Sequence, residues 1–281
     1  MARQNIFELA ASGNNMQAET ERLLRLFERE TIVAIGLSEY TLRGFVDAYV
    51  FAHWKQSGHF IDVSDYLSTI HYPTLERLAY SYIDDHLTLI ELVYNFWMIA
   101  FWYIRDRRID GARREFTLLK TMMDDLLAKY NQKAIVDEKK QQVLIVEDKP
   151  EVTAAAEIAS PQIGMMILRY NHRTLKGDLE AKKAILFALG SELEPKRPQL
   201  NQIDSMLESD IFFALNNLNI RHNNCSPNDR FYNETVAQMK KGELENWYDE
   251  LYQMILLANL ELDNADRKKR IKKLKKTINR A

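Results

Sequence analysis

The chain has 281 residues, room for one large domain or two ordinary ones at roughly 100–200 residues each. Hydrophobic residues make up 46% and charged residues 28%, which excludes global disorder, and a formal net charge of −2 excludes a polycation, so any nucleic-acid affinity must come from a local patch. The single cysteine, Cys225, excludes an intramolecular disulfide framework and a thiolate zinc site.

Nine Gly and six Pro are few for this length, and straight-chain helix formers fill much of the remainder, so helix is the default. The opening residues lack the long apolar core of a secretory signal, and a reducing, cytoplasmic setting is the expectation. Residues 1–30 predict one or two short amphipathic helices, with Asn14 or Asn15 as cap. Ser38 is placed to cap a helix over 39–56 that exits at Gly58, and Ser64 to open a short helix to Ile70. Pro73 suits a helix start, and the pattern then stays helical over 74–108.

Within that helix, residues 87–104 are nearly apolar and just long enough for a membrane span. Asp84, Thr88, Glu91 and Asn95 nevertheless fall on one helical stripe, and a mid-bilayer carboxylate is expensive. A central bundle helix whose polar stripe is satisfied by neighbours is the preferred expectation, with no membrane partner. Asp110-Gly111 marks a break before a helix that runs to about Tyr130. Two β-branched runs, 134–136 and 143–146, flank DEKKQQ, a hairpin signal that also reads as a linker.

The second half opens with Pro161 and a helix to about Lys176; Asp178 caps the next, which ends near Gly190. Pro195 and Pro198 predict a rigid connection. Leu200, Ile203, Leu207, Ile211, Leu215 and Leu218 then recur at helical steps, as one helix that delivers Arg221 and His222 at its end. After a turn-rich loop, helices resume near Asn233 and over 243–262. The expected fold is an all-α, multi-helix bundle in two halves, with a short β-ribbon or linker near 132–160. The domains are 1–131, a bundle over 161–265 and a basic tail over 266–281.

The chemistry concentrates in NIRHNNCSPND, where a long apolar helix gives way to a loop. Arginine holds phosphate through paired N–H donors and histidine moves a proton near neutral pH, so Arg221 and His222 are the candidate catalytic pair, with Asn223 and Asn224 orienting a phosphate. Together they suit metal-free cleavage of an RNA backbone. The structural alternative is that the cations complement a helix dipole and Asn223 or Asn224 forms a left-handed cap.

A long helix of the form FFALNNLNI, ending in Arg and a polar residue before a loop and another apolar helix, resembles the HEPN superfamily over about residues 161–262. The resemblance implies a small helical bundle and a dimeric, metal-independent ribonuclease of antiviral, abortive-infection or toxin–antitoxin systems, with no cofactor. Its motif is an arginine followed by a polar residue and, a few positions on, a histidine. Arg221-His222 matches the first half, whereas Cys225, Ser226 and Pro227 stand where the distal histidine belongs. That departure leaves two expectations open: His222 serves as the base, or the chain is a non-enzymatic regulatory subunit that binds a protein partner.

The run RKKRIKKLKK predicts a basic helix with a thin apolar stripe of Ile271, Leu274 and Ile278. Lys268, Lys269, Arg270, Lys272 and Lys273 are its candidate phosphate contacts, and a solvated terminus is the alternative. Asp47, His53, Asp84, Asp85, His86 and Glu91 lack the Glu-x-x-His spacing of bundle metal sites, so caps and buried contacts explain them better.

Overall fold

The computed structural model describes residues 16–70 and 83–279. The fold is mostly helical, with two small antiparallel sheets of two strands each. It divides after Val146 into two compact units. The expected cap at Asn14 or Asn15 and the helix start at Pro73 lie outside the described residues.

The first unit opens with α1 (Met16–Glu28), whose buried face is Met16, Leu23, Leu24 and Phe27. The helix expected from Ser38 starts later. Ser38 lies in a hairpin of β1 (Val33–Ile35) and β2 (Ser38–Tyr40). Gly36, at φ +60°, supplies the left-handed first position of its two-residue turn. Thr41 caps the true start by accepting a hydrogen bond from the Gly44 N–H, and α2 (Leu42–Phe45) runs on through a π-helical and a 3-10 turn to His53. Asp62 caps α3 (Val63–Thr69).

The centre of this unit is α4 (Ile83–Arg107). By length and composition it is apolar enough to cross a membrane, but 72% of its most apolar stretch is buried inside the protein. Gly111 follows the helix at a close crossing: a Cβ there would lie 1.8 Å from the Ala34 carbonyl oxygen, and the Ala34 N–H donates to the Gly111 carbonyl at 2.8 Å. Then come α5 (Arg114–Lys129), β3 (Gln132–Asp137) and β4 (Gln142–Glu147). The segment expected as ribbon or linker is therefore a ribbon, and Val143–Val146 of β4 are fully buried.

The polar stripe of α4 explains how β4 is held. Asn95 accepts from the Val143 N–H at 2.7 Å and donates to the Val143 carbonyl at 2.9 Å, and Glu91 accepts from the Ile145 N–H at 2.8 Å. Two side chains thus replace the ladder partner that an edge strand lacks.

The second unit begins with α6 (Pro150–Ile158) and α7 (Pro161–Tyr170), each with proline in its first turn. Asp178 caps α8 (Leu179–Leu193). The Pro195–Pro198 connection is a 3-10 turn running straight into α9 (Arg197–Ile203), so both prolines open helical turns. The single long helix expected from Leu200 to Leu218 is broken at Asp204. This residue is extended (φ −144°, ψ 99°) and caps α10 (Ser205–Asn217) by accepting from the Met206 and Leu207 N–H groups. The apolar spacing survives the break because both helices pack on one core. After the short α11 (Glu234–Gln238), α12 (Lys241–Ile278) runs for 38 residues and includes the basic tail as far as Ile278.

Candidate functional site

The loop that presents Arg221 and His222 starts one turn beyond α10. Asn219 takes the left-handed conformation (φ 57°), where the sequence suggested Asn223 or Asn224, and the Arg221 N–H returns to the Leu215 carbonyl at 3.0 Å. Asn224 is 1% exposed and ties the loop together. Its Oδ1 accepts from the Asn219 N–H at 2.8 Å and its Nδ2 donates to the Phe231 carbonyl at 2.8 Å. A side chain so committed is a structural staple rather than a phosphate ligand; Asn223, by contrast, is exposed.

Arg221 is held on three sides. Its Nη2 lies 2.5 Å from a Glu194 carboxylate oxygen and donates to the Gly190 carbonyl at 3.1 Å, and its guanidinium sits 5.1 Å from the centre of the Phe212 ring. Arg197 reaches the same ring at 4.3 Å and pairs with Glu194 at 3.7 Å. Arg197 also donates to Glu208, as does Asn201. Burial works against ionising Glu208, yet the hydrogen bonds from Asn201 and Arg197 hold its carboxyl below the usual carboxylate range. Two guanidinium groups and two carboxylates thus form a network that balances its own charge over a buried phenylalanine. With its side chain 17% exposed, Arg221 reaches an external phosphate only by releasing Glu194, which is 45% exposed.

His222 is half-buried and stacks on Phe231, with ring centres 3.8 Å apart and planes 18° apart. The Arg230 guanidinium lies 4.4 Å from the same Phe231 ring, and Tyr232 is exposed beside it. The loop surface is therefore a cation, a phenyl ring and an imidazole in contact, a composition suited to stacking on planar groups.

The five basic residues singled out in the sequence lie on another element, the far part of α12. Lys268, Lys269, Arg270, Lys272 and Lys273 are all exposed, as are Arg267, Lys275 and Lys276. Asp263 pairs with Arg267 and reaches Arg270 at 3.9 Å, and Asp266 pairs with Lys269 at 2.8 Å. The Lys269 hydrogen bond and charge hold the Asp266 carboxyl below its ordinary value. Lys268, Lys272, Lys273, Lys275 and Lys276 have no ion-pair partner among the described residues.

A further polar cluster was not anticipated from the sequence. Lys182, 6% exposed, lies 2.7 Å from Asp249 and 2.8 Å from Glu245. The Tyr170 hydroxyl donates to Asp249 at 2.8 Å, and its ring stacks on Tyr252 at 4.0 Å. Burial and then the Asp249 charge push the Tyr170 hydroxyl far above its ordinary value, so it stays protonated. With every charge answered, the cluster pins α7 and α8 to α12. The signal was an acidic pair at i and i+4, Glu245 and Asp249, on the same helix as buried aromatics.

Among the described residues no group of three or more His, Cys, Asp or Glu side chains is placed to hold a metal ion. Asp47 accepts from the Val63 N–H at 2.9 Å, a structural task. The chain matches no protein-family model, no curated protein and no solved structure.

Proposed function

We propose that the protein binds RNA without cutting it, gripping the sugar–phosphate backbone through the basic arm of α12. The observation that carries this reading is the run of eight exposed Lys and Arg residues between 267 and 276 on a helix clear of the core. Such a helix presents cations on nearly every side, matching a polyanion whose affinity comes from counterion release. The His222–Phe231–Arg230 stack adds a surface on which an unpaired base can lie. Titration of a labelled single-stranded RNA at several salt concentrations tests the reading. Replacing Lys268, Lys272, Lys273 and Lys276 by glutamine should lower the slope of log affinity against log salt by about 3, at roughly 0.7 per phosphate contact. No binding by the parent chain, or an unchanged slope in the variant, overturns it.

A second reading, metal-independent RNA cleavage as in the HEPN superfamily, is favoured by one observation: Arg221 and His222 are adjacent on a partly exposed loop, and the Arg221 partner Glu194 is 45% exposed. It requires a phosphate to displace Glu194 and two-fold pairing to join two such loops. Incubation of RNA with the parent chain and with Arg221→Ala and His222→Ala separates the readings. Cleavage that both substitutions abolish with helical content retained establishes the second; intact RNA with all three proteins leaves binding alone.

A further inference from the structure

The helix α12 has two apolar faces. One, carrying Tyr248, Leu251, Ile255 and Leu262, is buried in the core of the second unit. The other points away from it. Residues 257, 260, 264, 267, 271, 274 and 278 follow one another at alternating three- and four-residue steps, which is the heptad spacing of a coiled-coil seam. Leu257, Ile271, Leu274 and Ile278 are 48%, 51%, 52% and 63% exposed, and Leu260 is half-buried. In heptad terms Leu257, Asn264, Ile271 and Ile278 occupy a positions, and Leu260, Arg267 and Leu274 occupy d positions.

We infer that this outward seam pairs α12 with α12 of a second copy of the chain, parallel and in register. Two features select that occupant. Ile271 and Ile278 at a with Leu260 and Leu274 at d are the choice that favours two parallel strands over higher assemblies, whereas Leu257 at a and the charged Arg267 at d depart from it. Asn264 is the single polar residue at an a position, and across a parallel two-stranded seam it meets its own equivalent, fixing register at a cost in stability. At the seam edge the g-position Asp263 faces the e-position Lys268 of the partner subunit twice, by symmetry, a charge match confined to the level of Asn264. A bilayer fits less well, because the stripe beyond Asn264 is about one residue wide and has lysines on both sides, whereas a helix lying in a membrane presents a broad apolar face.

The same geometry sets the conditions for pairing. Three heptads are near the minimum for a stable coiled coil. Each arm also brings eight cations against the carboxylates of Glu261, Asp263 and Asp266. Arg270 faces the partner's Lys275, a like-charge contact. Repulsion between arms therefore opposes the seam, and association strengthens as the repulsion is screened, the reverse of an ordinary ion-paired interface.

The test needs no RNA. Sedimentation of the full chain is measured over a concentration series at about 0.05 M and about 0.5 M salt, where the screening length falls from roughly 14 Å to roughly 4 Å. A reversible dimer whose association constant rises at least tenfold with salt is expected. Ile271→Asp with Leu274→Asp, both on the exposed face, should remove the dimer and leave the helical content unchanged. In a Cys225→Ser background, Ile278→Cys should cross-link two chains under mild oxidation, as only a parallel in-register seam allows. A chain monomeric at every concentration and salt overturns the inference. So does a dimer that the double substitution leaves intact, or one that Ile278→Cys fails to cross-link.

Discussion

Replacing Asn95 by leucine isolates the contribution of a side chain that substitutes for a β-strand. The Asn95 amide is buried and satisfies both the N–H and the carbonyl of Val143, at 2.7 and 2.9 Å. Leucine is of comparable size but leaves both backbone groups buried and unpaired, at roughly 1–3 kcal/mol each. Burying the leucine returns about 1–2 kcal/mol, so the net loss should be about 3 kcal/mol. Against a typical domain stability of roughly 5–15 kcal/mol this is a large fraction, yet the first unit should still fold. Native-state hydrogen exchange reads it site by site, which matters in a chain of two units whose global unfolding need not be two-state. The Val143 and Ile145 amides should exchange roughly a hundredfold faster, at about tenfold per 1.4 kcal/mol. Amides of the second unit should be unaffected. Protection at Val143 unchanged within about threefold would refute the argument that α4 holds the ribbon through this amide.

Two further perturbations probe each unit separately. A Cβ added at Gly190 would lie 2.7 Å from both Leu215 methyl carbons, so Gly190→Ala should cost about 1–3 kcal/mol in thermal unfolding, and less than that when introduced into a Leu215→Ala background. Equal destabilisation with and without Leu215→Ala would show that the clash is not the cause. In the first unit, burial holds the His86 imidazole below its ordinary value, with Asp85 and Glu21 pulling it the other way. The unfolded chain then binds a proton more readily than the folded one, so stability falls as pH drops below about 6.5 and is regained above it. His86→Phe should flatten the urea midpoint between about pH 7 and pH 5, followed by tryptophan fluorescence, and identical profiles for the two proteins would refute the assignment.

The sequence showed that the stripe of Glu91 and Asn95 must be satisfied, because an apolar helix cannot bury a carboxylate and an amide without partners. It could not show which partners, since Val143 lies 48 residues away and the contact is set by packing. The break at Asp204 was hidden for the opposite reason: leucine and isoleucine keep helical spacing across it, and only the local capping chemistry of an aspartate marks the discontinuity. At the loop, the cluster of Arg221, His222, Asn223 and Asn224 was legible as a concentration of polar chemistry. Its division of labour was not. Glu194, the residue that occupies Arg221, comes from a proline-rich turn 27 positions earlier in the chain, and Asn224 is committed by hydrogen bonds to backbone groups that no residue type announces. The helical form of the basic run was legible because its signal is compositional and local.

The continuity of α12 has a mechanical consequence. At about 1.5 Å per residue its 38 residues form a rod of roughly 57 Å, with neither glycine nor proline after Gly242 to act as a joint. A load applied near Lys276 is therefore transmitted as tilt to Tyr252 and Tyr248, the anchors at the root of the rod. Whatever seizes the arm also turns the bundle.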